Sequence, residues 1–326
     1  MERDEFKSNI ISNLNAAQRD AVEYCDGPQL VIACAGSGKT RVLTHKIAYL
    51  ISSGLEPYQI MALTFTRKAA AEMKERINKL FGGQRISDEL MMGTFHSVFA
   101  RILRIEWNNA GLKKNFIIYD QGDSRNVIND IINDLQLKTN IYSATDCRAR
   151  ISWLKNNRMF SSVDYMQDEG EQSKDYNIPK IGEIFAEYEK RLISAGAIDF
   201  DDILLVTYKM LCEHPEVAEK WGRRFEYILV DEYQDTNTVQ DKIVRILSNF
   251  HKRVCVVGDD AQSIYAFRGA VIENILGFER SYTGAKVFKL EENYRSTPDI
   301  IGSANDVIYT NKRQIRKDVF TEKPSR

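Results

Sequence analysis

A short glycine-containing stretch near the start of the chain constrains its fold more than any other feature. Residues 30–41 read Leu-Val-Ile-Ala-Cys-Ala-Gly-Ser-Gly-Lys-Thr-Arg. The apolar run is typical of a strand buried in a parallel sheet, and Gly36 and Gly38 allow the next turn to curl around a phosphate. Lys39 would reach the β- and γ-phosphates, and Thr40 would bind Mg²⁺. The pattern predicts a nucleotide site, and the alternative is a glycine-rich turn without catalytic function.

The composition is that of a globular protein without an overall basic charge. The 326 residues carry a formal net charge of −1, and 43% of them are hydrophobic. Any nucleic-acid surface must therefore be a local patch. The cysteines have no metal-ligand spacing, and no apolar run reaches membrane-spanning length. We therefore expect reduced thiols, no membrane association and a cytoplasmic location.

A second pattern of nucleotide chemistry follows at residues 227–232. The apolar run Tyr-Ile-Leu-Val ends in Asp231 and Glu232. Asp231 would hold Mg²⁺, directly or through water, and Glu232 would orient and polarise the attacking water. Paired acids can end a strand by accident, but this pair comes after a phosphate loop. We expect both patterns to meet at the carboxyl edge of one parallel sheet.

Polar and aromatic side chains follow further predicted strands. After the apolar run from Val254, Gln262 is placed to face the γ-phosphate. Arg295 follows a predicted strand at residues 285–290 and is a candidate arginine finger. The residues at the other strand ends have two interpretations. They could form a nucleic-acid surface, or they could be ordinary strand ends with aromatic side chains in the core. The residues concerned are Phe65, Arg67, Thr94, His96, Tyr265, Phe267 and Arg268.

The middle of the chain has a different character. Residues 107–194 show long helical patterns and few strand signals, which predicts an inserted, mainly helical subdomain. Strands alternate with helices on either side of it, so the predicted fold class is α/β with a parallel sheet. We expect residues 1–106 and 195–277 to form the first nucleotide-binding domain and residues 278–326 to begin a second one.

Together these motifs resemble the UvrD/PcrA/Rep-like superfamily-one DNA helicases. The resemblance runs through an ordered series of blocks from Leu14 to Ser296. It implies a RecA-like P-loop NTPase domain that uses ATP and Mg²⁺ and moves 3′ to 5′ on single-stranded DNA. It also implies duplex/single-strand junctions as ligands, and repair or replication proteins as candidate partners. The sequence does not predict an oligomeric state.

The resemblance also implies a role for individual residues. The nucleotide-binding set is Gln18, Ala35, Gly36, Ser37, Gly38, Lys39, Thr40, Arg41 and Tyr294, with Gln18 and Tyr294 at the adenine. The catalytic set is Lys39, Glu232, Gln262 and Arg295, and the metal ligands are Thr40 and Asp231. The DNA contacts are the seven strand-end residues named above. Two of them depart from the family pattern, because Arg67 replaces the common asparagine and Phe267 a frequent tryptophan.

Family members continue well beyond the end of this match with the rest of a second RecA-like domain. The resemblance therefore implies an amino-terminal fragment that alone binds nucleotide weakly, hydrolyses it slowly or not at all, and is impaired in unwinding. Two other classes remain open. A P-loop kinase or GTPase would share the phosphate cradle, but it gives no reason for the blocks around Gln18 and Gln262. A non-catalytic nucleic-acid-binding module is the other, although intact Lys39 and Glu232 favour catalysis.

Overall fold

The computed structural model describes residues 2–138, 140–266 and 269–324. Within them, six strands form one sheet in the order β3-β2-β6-β7-β1-β8, and every neighbouring pair is parallel. The remaining two strands, β4 and β5, pair with each other. This confirms the predicted α/β class with a parallel sheet. The strands are β1 (Gln29–Ala33), β2 (Ile60–Thr64), β3 (Met91–Thr94), β4 (Ile117–Ile118), β5 (Ala197–Ile198), β6 (Tyr227–Val230), β7 (Val254–Gly258) and β8 (Lys286–Leu290).

Helices connect the strands and bury them. Every residue of β1, β2, β6 and β7 is buried. No helix of the described residues is both long and apolar enough to span a bilayer, and the five cysteines are free thiols. The helices are α1 (Glu2–Ser12), α2 (Ala16–Glu23), α3 (Lys39–Ser52), α4 (Arg67–Leu80), α5 (Phe95–Ile105), α6 (Gln121–Asp134), α7 (Ala144–Trp153), α8 (Ser162–Gln167), α9 (Glu169–Gln172), α10 (Ile181–Ala195), α11 (Phe200–Glu213), α12 (Pro215–Arg224), α13 (Thr238–Ser248), α14 (Glu273–Leu276), α15 (Phe278–Ser281) and α16 (Pro298–Tyr309).

The parallel order places the carboxyl ends of the six strands along one edge of the sheet. Leu63 of β2 lies beside Val230 of β6 and Gly93 of β3, and Ile32 of β1 lies beside Gly258 of β7. The segments that follow these strands therefore leave the sheet on the same side. Ligands of open parallel sheets bind at this edge, which is where the sequence places the candidate site residues.

Local signals explain where the site helices begin. Asn15 caps α2, because its side chain accepts the N–H of Gln18 at 2.8 Å while the Gln18 side chain accepts the N–H of Asn15 at 3.3 Å. Gly38 precedes α3 with a φ of 93°, a left-handed conformation that residues with a Cβ rarely adopt. Thr66 caps α4 by accepting the N–H of Ala69 at 3.1 Å.

Strand β8 lies at one edge of the sheet. It pairs along its whole length with β1, and the assignment of residues 278–326 to the start of a second domain stays a prediction. Residues 244–326 belong to the same compact unit as the chain up to residue 98 and residues 218–236. Lys286 and Lys289 are exposed, as is usual on an edge strand. The pattern of a single strand identifies it as a strand but does not reveal which sheet it joins.

A second compact unit comprises residues 99–217 and 237–243. It is mainly helical, and its limits lie outside residues 107–194 on both sides; that these residues form an inserted subdomain stays a prediction. Strands β4 and β5 pair within it in parallel; two-residue strands leave no periodicity by which to predict them. Its core includes Ile128, Ile131, Cys147, Ile151, Ile184, Phe185, Tyr188 and Leu192.

A buried carboxylate connects the short helix α9 to α7 and to the segment that follows α7. Glu171 has 0% side-chain exposure and forms ion pairs with Arg150 at 2.9 Å, with Lys174 at 2.5 Å and with Arg158. Burial alone would raise the pKa of Glu171. Hydrogen bonds from Lys174, Arg150 and Arg158 outweigh it and lower the pKa to about 2. The charged carboxylate of Glu171 therefore stabilises the folded state.

Glu171→Gln is expected to lower the free energy of unfolding at pH 7 by about 2 kcal/mol, because charge-assisted hydrogen bonds are lost in a buried place. The folded-state pKa is below the ordinary value of 4.5, so this stabilisation is complete above that pH and is lost as the pH falls toward 2. Urea denaturation between pH 7 and pH 3 should show the gap between wild type and variant closing.

Glu187→Gln is the matched control in the same unit. Glu187 pairs with Lys190 and Arg191 at the surface, so the same change of charge should leave the unfolding midpoint unaltered. A gap between wild type and Glu171→Gln that stays constant over the acid range would contradict the assignment of the ion pairs.

Candidate active site

The loop between β1 and α3 has the backbone of a phosphate cradle. Gly36 and Gly38 have φ values of 78° and 93°. A Cβ at Gly36 would lie 2.6 Å from the Cβ of Arg295, and a Cβ at Gly38 would lie 2.8 Å from Nε2 of Gln18. Helix α3 begins at Lys39 directly after the loop, so its N-terminal N–H groups are available to an anion. Both glycines are thus required by conformation, and Gly36 also by the close approach of Arg295.

Hydrogen bonds connect α2 to this loop and α3 to the segment before α2. Gln18 is buried, and its Nε2 donates to the carbonyl of Ser37 at 3.0 Å. The Ser37 hydroxyl donates to the carbonyl of Cys34 at 2.9 Å. Arg41 in the first turn of α3 donates to the carbonyl of Asn13 at 2.6 Å. The structure therefore places Gln18 against the loop, while its contact with adenine stays a prediction.

Tyr294 lies next to the same loop. Its N–H donates to the carbonyl of Gly36 at 3.0 Å. Its hydroxyl donates to Glu292 at 2.7 Å and accepts a hydrogen bond from Nδ2 of Asn15 at 2.7 Å. Burial and the hydrogen bond to Glu292 raise the pKa of Tyr294 to about 12. The residue is 42% exposed, so its ring is available to a base bound beside the loop.

The end of β6 brings the predicted acids to the phosphate-loop lysine. Nζ of Lys39 lies 2.9 Å from Oε2 of Glu232. Asp231 is buried, and burial together with the charge of Glu232 raises the pKa of Asp231 to about 7. Glu232 has a φ of 49°, which is uncommon for a residue with a Cβ and is typical of functional sites. Lysine and both acids thus form one cluster at the sheet edge.

Gln262 is tied to this cluster through the loop after β7. Its Nε2 donates to Oδ2 of Asp259. The N–H of Asp259 donates to Oε1 of Gln234 at 2.9 Å, and Nε2 of Gln234 donates to Oε2 of Glu232 at 2.8 Å. Hydrogen bonds therefore connect the predicted phosphate sensor to the predicted catalytic acid.

The predicted DNA residues divide into two groups. Phe65 follows β2 and Tyr265 follows β7, and their ring centroids are 5.2 Å apart with a tilt of 40°. Both residues are partly exposed. The structure therefore joins two strand-end loops into one aromatic pair. The predictions for Phe267 and Arg268 lie outside the described residues.

The second group follows β2 and its neighbour β3. Arg67 is exposed at the start of α4, and His96 is partly exposed in the first turn of α5. The Thr94 hydroxyl accepts the N–H of Ser97 at 3.3 Å. Because β2 and β3 are adjacent in the sheet, these side chains share the edge that carries the nucleotide residues. Their contact with DNA stays a prediction.

Comparison with known proteins decides the family. The sequence model of the UvrD/REP helicase N-terminal domain matches residues 14–283. The chain belongs to the UvrD/REP helicase family.

Two relatives named ATP-dependent DNA helicase PcrA share the greater part of this chain. The Staphylococcus aureus (strain Mu50) protein is 41% identical over 313 residues, which are 96% of this chain and 42% of that protein. The Bacillus subtilis (strain 168) protein is 42% identical over 318 residues, which are 97% of this chain and 42% of that protein. This chain therefore spans 42% of the length of these relatives.

One solved structure, of the DUF1998 helicase MrfA bound to DNA, is similar at a TM-score of 0.36. Its sequence identity is 14%, over 87% of this chain and 29% of that chain. A similarity this weak carries no argument about the fold.

The sequence did not reveal every residue that shapes the site of this family member. Asn293 is buried, and its Nδ2 donates to the carbonyl of Ala35 at 2.6 Å. Its Oδ1 accepts the N–H groups of Arg295 and Ser296, both at 2.8 Å. Asn293 thus holds the backbone of Arg295 against the phosphate loop. The Arg295 side chain is exposed, and its role as an arginine finger stays a prediction.

The arrangement suits a magnesium ion that is bound together with a nucleotide. Among the described residues, no group of three or more His, Cys, Asp or Glu side chains is arranged to hold a metal ion. A nucleotide site needs no such group, because Mg²⁺ keeps several waters and takes other ligands from the phosphates. Thr40 lies in the first turn of α3, and Asp231 ends β6. A cation near Asp231 would favour its charged form over the protonated form that burial favours.

Proposed function

We propose that this family member carries the ATP-hydrolysing site of a 3′–5′ DNA helicase or translocase that acts on single-stranded DNA. Two relatives at 41% and 42% identity are named ATP-dependent DNA helicases. The observation that carries the proposal is the 2.9 Å contact of Lys39 with Glu232 beside the glycine loop. This contact joins the residue that would bind the phosphates to the residue that would activate water.

The ion pair suggests how nucleotide binding prepares the acid. Lys39 would leave Glu232 when its ammonium binds the β- and γ-phosphates. Gln234 would keep its 2.8 Å hydrogen bond to Glu232, so the carboxylate would remain oriented toward an attacking water. Mg²⁺, bound by the Thr40 hydroxyl and Asp231, would neutralise charge on the phosphates. Gln18 and Tyr294 would contact the adenine, and Arg295 would bind the transferring phosphoryl group.

The loop after β7 offers a connection between ATP and DNA. Gln262 and Tyr265 share this loop, and the Tyr265 ring packs against Phe65 of the β2 loop. A γ-phosphate that binds Gln262 would therefore bias the loop that carries an aromatic DNA contact. A shift of this kind between two arrangements is how binding at one site changes affinity at another.

The ligands proposed for this surface are single-stranded DNA and duplex/single-strand junctions. Aromatic stacking with nearby cations suits unpaired bases, because every base offers a π-face. We further propose a cytoplasmic protein that takes part in DNA repair or replication. A non-catalytic nucleic-acid-binding module is the second candidate, because the Phe65–Tyr265 pair would serve such a module without turnover.

Fluorescence anisotropy with labelled single-stranded and duplex oligonucleotides tests the proposal. We expect tighter binding to the single strand, weaker binding at higher salt, and an affinity that differs between the ATP-bound and ADP-bound forms. Binding that is indifferent to nucleotide and to Glu232→Gln would favour the non-catalytic module. The absence of any single-strand binding would contradict both candidates.

A further inference from the structure

The segment after α16 places a lysine beside the loop that carries Gln262. Nζ of Lys317 lies 2.6 Å from Oδ1 of Asp259 and 2.6 Å from Oδ1 of Asp260. The side chains of these residues are 5%, 4% and 0% exposed, respectively. Although burial lowers the pKa of Lys317, the two carboxylates outweigh it and raise the pKa. One charged ammonium thus compensates two buried acids.

Asp259 connects Lys317 to Gln262. Its Oδ2 accepts a hydrogen bond from Nε2 of Gln262, while its Oδ1 accepts the N–H of Ala261 at 3.2 Å. Without Lys317, Asp259 would be an uncompensated buried carboxylate, which is strongly unfavourable. The carboxylate would turn toward water, and this change would release the Gln262 amide.

The same segment is attached to both loops that face the predicted γ-phosphate. The N–H of Ile315 donates to Oδ2 of Asp260 at 2.6 Å. Further along, the Thr321 hydroxyl donates to the carbonyl of Asn293 at 2.7 Å, and Nζ of Lys323 donates to the carbonyl of Arg295 at 2.8 Å. Residues 315–323 therefore bridge the loop of Gln262 and the loop of Arg295.

We propose that Lys317 is a positioning residue for nucleotide discrimination. Through Asp259, it holds Gln262 where the amide can bind a γ-phosphate, and it thereby sets the preference for ATP over ADP. This inference rests on the function proposed above for the site. Lys317 itself does not touch the nucleotide.

Fluorescence titrations of the whole chain with a non-hydrolysable, N-methylanthraniloyl-labelled ATP analogue and the equally labelled ADP, both with Mg²⁺, test the inference. Lys317→Met is expected to weaken binding of the ATP analogue about tenfold, a usual size for coupling between two groups, and to leave ADP binding within about twofold. Lys317→Arg keeps the charge and should restore most of the preference for ATP. Arg313→Met is the matched control. Arg313 also follows α16, but its ion pair with Glu273 is exposed, so both nucleotides should bind this variant as they bind the wild type.

Each outcome either supports or overturns the proposed role of Lys317. Equal weakening for both nucleotides, with a lower melting temperature, would show that Lys317 has a structural role only and would overturn the inference. If Lys317→Met folds incompletely, Lys317→Met/Asp260→Asn keeps the net charge of the wild type, leaves Asp259 unpaired and carries the same expectation.

Gln262→Ala separates this inference from the proposed function. A Gln262→Ala variant that keeps the full preference for ATP would refute the sensor role in the proposed function. If Gln262→Ala loses the preference while folded Lys317→Met keeps it, the site functions as proposed and only the role of Lys317 is refuted.

Discussion

Replacement of Lys39 by alanine is expected to lower the rate of ATP hydrolysis by about two to three orders of magnitude, the usual effect of losing one fixed group that stabilises transition-state charge. The Lys39 ammonium lies 2.9 Å from the carboxylate of Glu232, which follows β6. Its removal deprives the β- and γ-phosphates of a positive partner. Phosphate release from radiolabelled ATP under single-turnover conditions measures the effect.

Lys79→Ala provides the matched control for this experiment. Lys79 is exposed in the last turn of α4, so the same substitution there should leave hydrolysis unaltered. If Lys39→Ala hydrolyses ATP at the wild-type rate, the glycine loop is not the site of the reaction.

The second large effect is expected at Lys155 in the helical unit. Its side chain is 0% exposed, and Nζ lies 2.7 Å from Asp199 and 2.7 Å from Asp202. Lys155→Met would leave the buried Asp199 and the partly buried Asp202 without a cation, and breaking a buried ion pair costs about 3–5 kcal/mol. Amide hydrogen exchange in the whole chain should become much faster in the core helices α6 and α10, which pack around this unit's interior.

Two further variants serve as controls for the Lys155→Met experiment. Lys190→Met removes an exposed lysine that pairs with Glu187, and exchange should not change. Lys155→Met/Asp202→Asn removes one acid as well as the cation and should recover part of the lost protection. Unaltered exchange in Lys155→Met would mean that the two acids are hydrated in the folded state, contrary to their burial.

Strands buried on both faces were the most predictable part of the fold. The run at residues 227–230 forms β6 with the expected limits, because a strand covered on both sides needs a continuous apolar sequence. Helix starts are harder to predict from apolar periodicity. Helices α3 and α4 begin at Lys39 and Arg67. The N-cap residues Gly38 and Thr66 determine where these helices begin, and the periodicity of apolar residues contains no information about N-caps.

Contacts between distant parts of the chain required the structure. The 193-residue separation of Lys39 and Glu232 closes only because β1 and β6 belong to one parallel sheet, an order that individual strand patterns do not contain. Lys317 lies in an ordinary polar segment, and nothing in its neighbours indicates a buried ion pair. The ion pairs of Lys155 with Asp199 and Asp202 likewise became visible only in the folded chain.

Single-turnover ATP hydrolysis by the wild-type chain and by Glu232→Gln, each with and without single-stranded DNA, tests the central claim most directly. We expect slow hydrolysis by the wild-type chain that increases with DNA. We expect a rate about two to four orders of magnitude lower in the variant, the usual effect of losing a general base, with ATP binding retained. Equal rates in the two proteins would contradict the claim that Glu232 activates water at this site.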